Sequence, residues 1–498
     1  MDAYNRTLVA NVHPPDWKNP VPATKYNLVV IGGGTAGLVA AGGTALLGGK
    51  VALIERDLLG GDCLNTGCVP SKALIRAAQA AYAVQEAGRF GVEITGKPTI
   101  HFDKVMEHVR RARAEISPHD AAQRFKDWGT DVFLGNAEFL DEQSVSVGGQ
   151  VLRFQKAIIA TGARATRPNI PGLEQAGYLT NETLFTLTEQ PKRLAILGGG
   201  PIGCEIAQAF ARLGTQVTIL HKSDSLLGKE DPDVAALLEK VFQSEGIHLE
   251  LEASVKSVET SETGKTLHFT MDNQEKSLEV DAILVSVGRT PNVEQLNLEA
   301  AGVAYESDSG VIVDDFLRTT NGRIYACGDV CMSEKFTHAA EAAARIAIQN
   351  ALFFGQQRLS QLVIPRCTYT DPEIAHVGLT AQAAEQQGYA VETLTLPFSE
   401  ADRAVTDDEQ TGFIKIHLKL GTDRILGATI VARHAGELIS EITTAMVTKK
   451  GLSTLAKVIH PYPTRSEIIR KVADEYSLKQ LQGLKWLTQT LLNFTRGK

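Results

Sequence analysis

Cysteine is scarce in this chain, with six residues among 498. That is too few for a disulfide-stapled scaffold, so in a reducing compartment a close pair points to catalysis or metal binding. The sequence also lacks any run of about 20 apolar residues free of charge, which argues against a membrane span. Positive charge is not in excess: the formal net charge is -8. A general nucleic-acid binder is thereby disfavoured, although a local basic patch stays compatible. No basic stretch followed by an apolar one opens the chain. Met1 to Lys25 instead carries Pro14, Pro15, Pro20 and Pro22 among polar residues, and reads as a loose tail, not a secretory signal. A cytoplasmic location is expected. What is present is apolar material, 43% of residues against 22% charged, enough for a sizeable core. At roughly 150 residues per domain the length suggests about three domains.

The strongest pattern is an internal echo. Tyr26 to Ile31 is a short apolar run followed by Gly32, Gly33, Gly34 and, after Thr35 and Ala36, Gly37. Leu194 to Leu197 is followed by Gly198, Gly199, Gly200 and, after Pro201 and Ile202, Gly203. Each copy reads as strand, glycine turn and alanine-rich helix, and each leads to a further strand, at Lys50 to Ile54 and at Gln216 to Leu220. One glycine fingerprint alone is weak; the strand before and helix after give it weight. The first glycine permits the turn, the second lets backbone approach a pyrophosphate, and the third lets helix and strand pack closely. The helix N-terminus then favours the negative charge. Two copies imply two dinucleotides, and electron transfer between them. Glu55, 23 residues after Gly32, suits the ribose hydroxyls of FAD or NAD. The same count from Gly198 reaches His221, followed by Lys222. A cation there suits the 2′-phosphate of NADPH, with NADH left open.

Between the first turn and the next helix lies Gly60-Gly61-Asp62-Cys63-Leu64-Asn65-Thr66-Gly67-Cys68-Val69-Pro70-Ser71-Lys72. The stretch from Ser71 to Ala81 is helical in pattern, and Pro70 fits a first turn. Cys68 therefore stands near a helix N-terminus, which favours thiolate. Cys63 falls in a glycine-bounded loop able to fold back on it. Ordinary buried thiols, a zinc half-site and a structural disulfide are the competing readings. Cys327, Cys331 and His338 lack the short paired spacing of a zinc site, and no metal site is expected.

These motifs resemble the pyridine nucleotide-disulfide oxidoreductases, the family of dihydrolipoamide dehydrogenase, glutathione reductase and mercuric reductase, from about Tyr26 to about Tyr476. Ala160-Thr161-Gly162, Gly288-Arg289-Thr290-Pro291-Asn292, Tyr325-Ala326-Cys327-Gly328-Asp329 and Tyr369-Thr370-Asp371-Pro372-Glu373 follow in the family's order. The resemblance implies an α/β fold with two Rossmann-like dinucleotide-binding domains, for FAD and NAD(P), and an α+β dimerisation domain. The expected division is a tail at 1–25, FAD domain at 26–165 and 289–361, NAD(P) domain at 166–288, dimerisation domain at 362–476 and an amphipathic helix at 477–498. Gly32, Gly34, Gly37, Glu55, Gly61, Lys72, Thr161, Gly162 and Asp329 would serve FAD. Gly198, Gly200, Gly203, His221, Lys222, Gly288 and Arg289 would serve NAD(P)H. Hydride would pass from nicotinamide to flavin and on to a Cys63–Cys68 disulfide. Cys68 would lie against the isoalloxazine as thiolate, and Cys63 would meet the substrate. Lys72 and Glu205 would pair beside the flavin. The enzyme would work as a homodimer with an active site shared across its interface.

The C-terminal motif reads His460-Pro461-Tyr462-Pro463-Thr464-Arg465-Ser466-Glu467. Lipoamide dehydrogenase and glutathione reductase carry a histidine base where Tyr462 stands, paired with the acid at Glu467. Imidazole shuttles protons near neutrality, whereas phenol, with a pKa of about 10, does not. Tyrosine here is similar to mercuric reductase, as is Val217 to Pro232, and soft thiolates suit soft metal ions. Yet no cysteine follows Cys367, so that enzyme's C-terminal cysteine pair is missing. The expected activity is therefore an NADPH-dependent, mercuric reductase-like flavoprotein disulfide reductase with a small-molecule acceptor. The alternatives are a dihydrolipoamide dehydrogenase of a multienzyme complex and a redox sensor. Beyond Ser477, leucines at helical spacing predict a helix packed on its own domain or on the dimer partner, with membrane-surface contact as the sharper alternative.

Overall fold

The computed structural model describes residues 2–96, 98–262 and 264–496. Two compact units emerge, Met1–Asp224 with Phe242–Leu362, and Ser225–Val241 with Val363–Lys498.

The first unit opens with a correction. The stretch expected as a loose tail is ordered against the domain, beginning with helix α1, Ala3–Val12, capped by Asp2, whose Oδ1 accepts from Asn5 N at 2.8 Å. Leu8 and Val12 are buried, so α1 has an apolar face to dock. The prolines that suggested disorder lie after it, in a strap fixed side chain to backbone. Trp17 Nε1 donates to Val132 O at 3.1 Å, and Asn19 both donates to Leu134 O and accepts from Leu134 N.

Strand β1 (Tyr26–Ile31), helix α2 (Thr35–Leu46) and strand β2 (Val51–Glu55) follow. β1 is apolar and buried on both faces, as a central parallel strand must be. Among the described residues the sheet order is Thr130–Leu134, β2, β1, Gln150–Ile159, Ser144–Val147 and Ala137–Asp141, with Ile324–Ala326 added beside Gln150–Ile159. The long Gln150–Ile159 strand is parallel to β1 at its end and antiparallel to Ser144–Val147 at its start. A second sheet runs His248–Glu250, Gln216–Leu220, Arg193–Leu197 and Ala282–Val285, all parallel. The chain passes between the two sheets twice, and the passages pair as an antiparallel ribbon, Ala163–Ala165 with Arg289–Pro291.

The second unit is built on an antiparallel sheet of order Pro365–Thr368, Glu373–Gly378, Ile425–Ala432, Phe413–Lys419 and Val391–Pro397. The Ala435–Val447 and Glu467–Gly483 helices cover its apolar core. Residues 225–241, expected inside the NAD(P) domain, group here through charge pairs. Arg366 Nε lies 2.7 Å from Glu230, and Lys415 Nζ lies 2.9 Å from Asp231 and 2.6 Å from Asp233. The C-terminal segment also departs from expectation. It is two helices, Glu467–Gly483 and Lys485–Thr495, broken after Gly483, and residues 478–496 are all exposed within the single chain, so of the two expected packings, on its own domain or on the dimer partner, the first is not seen.

Candidate functional site

The two glycine turns adopt one geometry. Gly32 has φ +105° and Gly198 has φ +114°, a region side chains rarely enter. A Cβ on Gly37 would overlap Gly32 O, and one on Gly203 would overlap Gly198 O, so each helix packs against its own turn. Gly34 and Gly200 are the N-caps of α2 and of the Pro201–Arg212 helix, and neither makes a side-chain cap hydrogen bond. The first N–H groups of both helices are thus unclaimed by cap side chains, the arrangement a diphosphate exploits. Glu55 Oε2 accepts from Gly33 N at 2.5 Å, and in the second copy His221 Nδ1 accepts from Gly199 N at 3.0 Å. The echo therefore extends to the residue that braces the turn. Burial holds the Glu55 carboxyl above its ordinary value, against the two backbone N–H groups it accepts. Lys222 is exposed.

Cys63 lies in a one-turn helix, α3, Gly61–Asn65, and not in an open loop. Cys68 is the first residue of α4, Cys68–Gln85, so its sulfur sits at the positive end of an 18-residue helix. The two thiols hydrogen-bond each other. This bond, Thr337 and the Lys72 charge pull Cys68 down to about 6, against burial and Glu205. Cys63, holding the shared proton and partly buried, is pushed far above the ordinary thiol value. The reduced pair is thus one thiolate and one thiol. Thr337 Oγ1, 3.3 Å from Cys68 Sγ, had no signature in the sequence, because the contact spans 269 residues.

Lys72 stands one turn beyond Cys68 on α4, and its Nζ lies 2.7 Å from Glu205 Oε2. Glu205 is buried on the helix that follows the second turn, so this pair ties the thiol helix to the second dinucleotide fold. Arg289 differs from expectation. Its guanidinium pairs with Asp62, next to Cys63, donates to Ala163 O at 2.6 Å, and has Nε 3.4 Å from Asp329. It belongs with the first dinucleotide's residues, because the Arg289–Pro291 strand returns along the ribbon to that side. Gly288 opens that return. Thr161 Oγ1 donates to Asn292 O at 2.7 Å, and Asn292 Nδ2 donates to Thr161 O at 2.9 Å, closing the ribbon below Gly162.

Residues 26–344 match the pyridine nucleotide-disulphide oxidoreductase family, and residues 364–473 match that family's dimerisation domain. The chain belongs to the pyridine nucleotide-disulphide oxidoreductases. It is 35% identical over 442 residues to a mercuric reductase of Bacillus cereus, covering 89% of this chain and 70% of that protein. It is 33% identical to a dihydrolipoyl dehydrogenase of Staphylococcus aureus, covering 90% and 96%. Among solved structures, the HOCl-induced flavoprotein disulfide reductase RclA from Escherichia coli superposes with TM-score 0.81 at 30% identity, covering 90% of this chain and 99% of that one. RclA is also solved as a Cu(II) complex.

Members of this oxidoreductase family use FAD and NAD(P)H, and the residues present fit FAD. The turn at Gly34 offers backbone N–H groups without a competing side chain. No atom lies within 4 Å of where a Cβ on Gly162 would sit. Arg289 Nε is buried and, among the described residues, has the ion-pair contact with Asp329 but no hydrogen-bond partner, and burial raises that Asp329 carboxyl. Gly61 must stay small, since a Cβ there would come within 2.7 Å of Gly34 Cα.

In the second unit, Tyr462 is exposed and its hydroxyl donates to Asp402 at 3.0 Å. That bond raises the phenol above its ordinary value, so even less of it is ionised near neutrality. Glu467 is buried and its Oε1 meets Arg470 at 3.3 Å, while its Oε2 has no hydrogen-bond partner among the described residues. The structure does not join Tyr462 to Glu467 by a hydrogen bond. His460, the other conceivable base, directs Nε2 to Glu441 at 3.0 Å. No helix of the described residues is long and apolar enough to cross a membrane.

Proposed function

We propose that this protein is an NADPH-dependent reductase that uses a Cys63–Cys68 couple to reduce a soft-metal or thiol-reactive small acceptor, in the manner of the mercuric reductases. The observation that carries this reading is the polarised thiol pair: a stabilised Cys68 thiolate at a helix start, hydrogen-bonded to a Cys63 thiol, with Lys72–Glu205 alongside. When bound, the flavin would take hydride from the nicotinamide and hand an electron pair to the disulfide. Reducing that disulfide consumes two electrons and one proton, and yields the Cys68 thiolate and the Cys63 thiol. The α2 N-terminus and Glu55 would hold the diphosphate and ribose of FAD, while Arg289 and Asp329 would line its ribityl side. Lys72 keeps positive charge beside Cys68, which holds the thiolate ionised.

The NADPH preference rests on His221. Because Nδ1 accepts from Gly199 N, a neutral ring carries its proton on Nε2. That N–H would donate to a 2′-phosphate, and Lys222 would add charge, where a carboxylate would repel it. A soft acceptor is supported by Tyr462, a poor base that can still contact a thiolate-bound ion, and by RclA having been captured with Cu(II). Tyr462 and Glu467 of one subunit would complete the site of the other in a homodimer, in keeping with the match of residues 364–473 to the dimerisation domain.

Anaerobic titration with NADPH and with NADH, followed through the flavin spectrum, tests the electron path. The expected result is a long-wavelength band after two electrons, lost in Cys68→Ser. Mercuric ion, Cu(II), lipoamide and oxidised glutathione are then compared as acceptors. Fast lipoamide turnover with NAD would instead establish a dihydrolipoamide dehydrogenase.

A further inference from the structure

The segment after Tyr476 stands apart from the rest of the chain. It lies beyond the matched dimerisation domain, which ends at residue 473. In the Lys485–Thr495 helix, Leu484, Leu487, Leu491 and Phe494 recur at helical spacing and form one stripe. Their exposures are 49%, 50%, 64% and 81%, so the described residues leave the stripe open. The opposite face carries Lys485, Gln489, Asn493 and Arg496. Charge is one-sided: Lys479, Lys485, Arg496 and Lys498 are the only charged residues after Glu475, in a protein of net charge -8. A short helix with an uncovered apolar stripe, an aromatic at each end (Trp486 and Phe494) and only positive charge matches the physical profile of an interfacial anchor.

We propose that residues 477–496 dock the enzyme peripherally on an anionic lipid bilayer, with the Leu484–Phe494 stripe in the acyl boundary and Lys479, Lys485 and Arg496 at the headgroups. Basic residues gain from an anionic surface and the gain decays within a Debye length, so binding is salt-sensitive. The stripe is short, hence reversible attachment and not insertion across the bilayer. The proposal does not depend on which acceptor the enzyme reduces.

Full-length holoenzyme is sedimented with vesicles of phosphatidylcholine alone and with 40% phosphatidylglycerol (about the anionic content at which a few lysines register). The expected result is binding to the anionic vesicles, at least tenfold less to neutral ones, and release in about 0.5 M salt, where screening is nearly complete. Trp486 emission should shift to the blue on binding, a change absent in Trp486→Phe. The variant Leu487→Glu/Leu491→Glu should lose at least tenfold in bound fraction while its turnover in solution is unchanged. A protein that stays in the supernatant with every lipid overturns the proposal. So does an unaltered bound fraction for the double variant. If sedimentation equilibrium shows that the double variant dissociates an assembly of this chain, the stripe is an interface between copies and the lipid assignment fails.

Discussion

Truncating Leu8 to alanine probes the least expected feature of the fold, the docked N-terminal helix. Leu8 is 2% exposed and Val12 is fully buried. Burying two such side chains contributes roughly 3–6 kcal/mol. Hydrogen bonds from Asn11 Nδ2 to Ser117 Oγ at 2.8 Å and from Leu59 N to Val12 O at 3.2 Å add about 1 kcal/mol each. These contacts tie α1 to the domain near the end of the chain, where local detachment precedes global unfolding. A buried Leu→Ala change costs about 2–5 kcal/mol, but the observable loss is capped by detachment of the helix. Leu8→Ala should therefore lower stability by about 2 kcal/mol, and speed tryptic cleavage at Arg6 or Lys18 by roughly 30-fold, since 1.4 kcal/mol is a factor of ten. The effect should reach the cofactor. Val12 O holds Leu59 N and His13 Nδ1 meets Asp57 O, and both partners follow Glu55 directly. Losing one such hydrogen bond is worth about 0.5–1.5 kcal/mol, so FAD affinity, measured by release of flavin fluorescence, should weaken about 2- to 12-fold. If Leu8→Ala leaves the urea midpoint, the tryptic rate and flavin release at wild-type values, α1 is not docked and this reasoning is wrong.

Three further outcomes are expected. In the reduced protein, iodoacetamide should modify Cys68 with a pH midpoint near 6 and spare Cys63 through the neutral range. Lys72→Met should raise that midpoint and Glu205→Gln lower it, because the lysine stabilises the thiolate and the carboxylate opposes it; an unmoved midpoint in both would remove them from the thiol's electrostatics. His221→Glu should reverse the nucleotide preference by about 10- to 100-fold in the kcat/KM ratio, the worth of one hydrogen bond to a charged group, with flavin content as the folding control. Burial holds His376 down to about 4, so the folded state favours its neutral form. That contribution is whole above the unfolded pKa of about 6.5 and fades as pH falls toward 4. By pH 5 the loss is about 2 kcal/mol, visible as a drop in urea midpoint that His376→Gln should largely abolish.

Short-range rules made the dinucleotide folds and the thiol pair legible. Gly37 and Gly203 are forced by backbone contact within their own turns, Gly32 and Gly198 by their positive φ, and Cys68 stands at a helix start that Pro70 announces. Arg289, Thr337 and Asp62 were not legible in their roles, because each contact joins elements far apart in sequence: Arg289 meets Asp62 across 227 residues. Local pattern also misread the N-terminus. Proline density suggested disorder, but Trp17 and Asn19 anchor that segment through backbone groups of a strand 115 residues away. At the other end the leucine spacing gave the helix, while which surface it covers depends on packing that spacing does not encode.

The surroundings of position 462 bear on what the thiol pair can serve. Disulfide exchange with a dithiol needs a group that takes and returns a proton near neutrality. Around this position Tyr462 donates to Asp402, His460 pairs through Nε2 with Glu441, and Glu467 is buried beside Arg470. On the proposed shared-site arrangement, Cys63, whose proton is held far above the ordinary thiol range, would meet a phenol at position 462 instead of an imidazole. An electrophile that binds sulfur tightly enough to displace the proton needs no such base, since coordination itself lowers a thiol's pKa. On that proposal the pair would favour acceptors that make strong bonds to sulfur over those that depend on assisted proton transfer. Tyr462→His should then raise lipoamide turnover while leaving NADPH reduction of the flavin unchanged; a variant with no gain would place the barrier to lipoamide elsewhere.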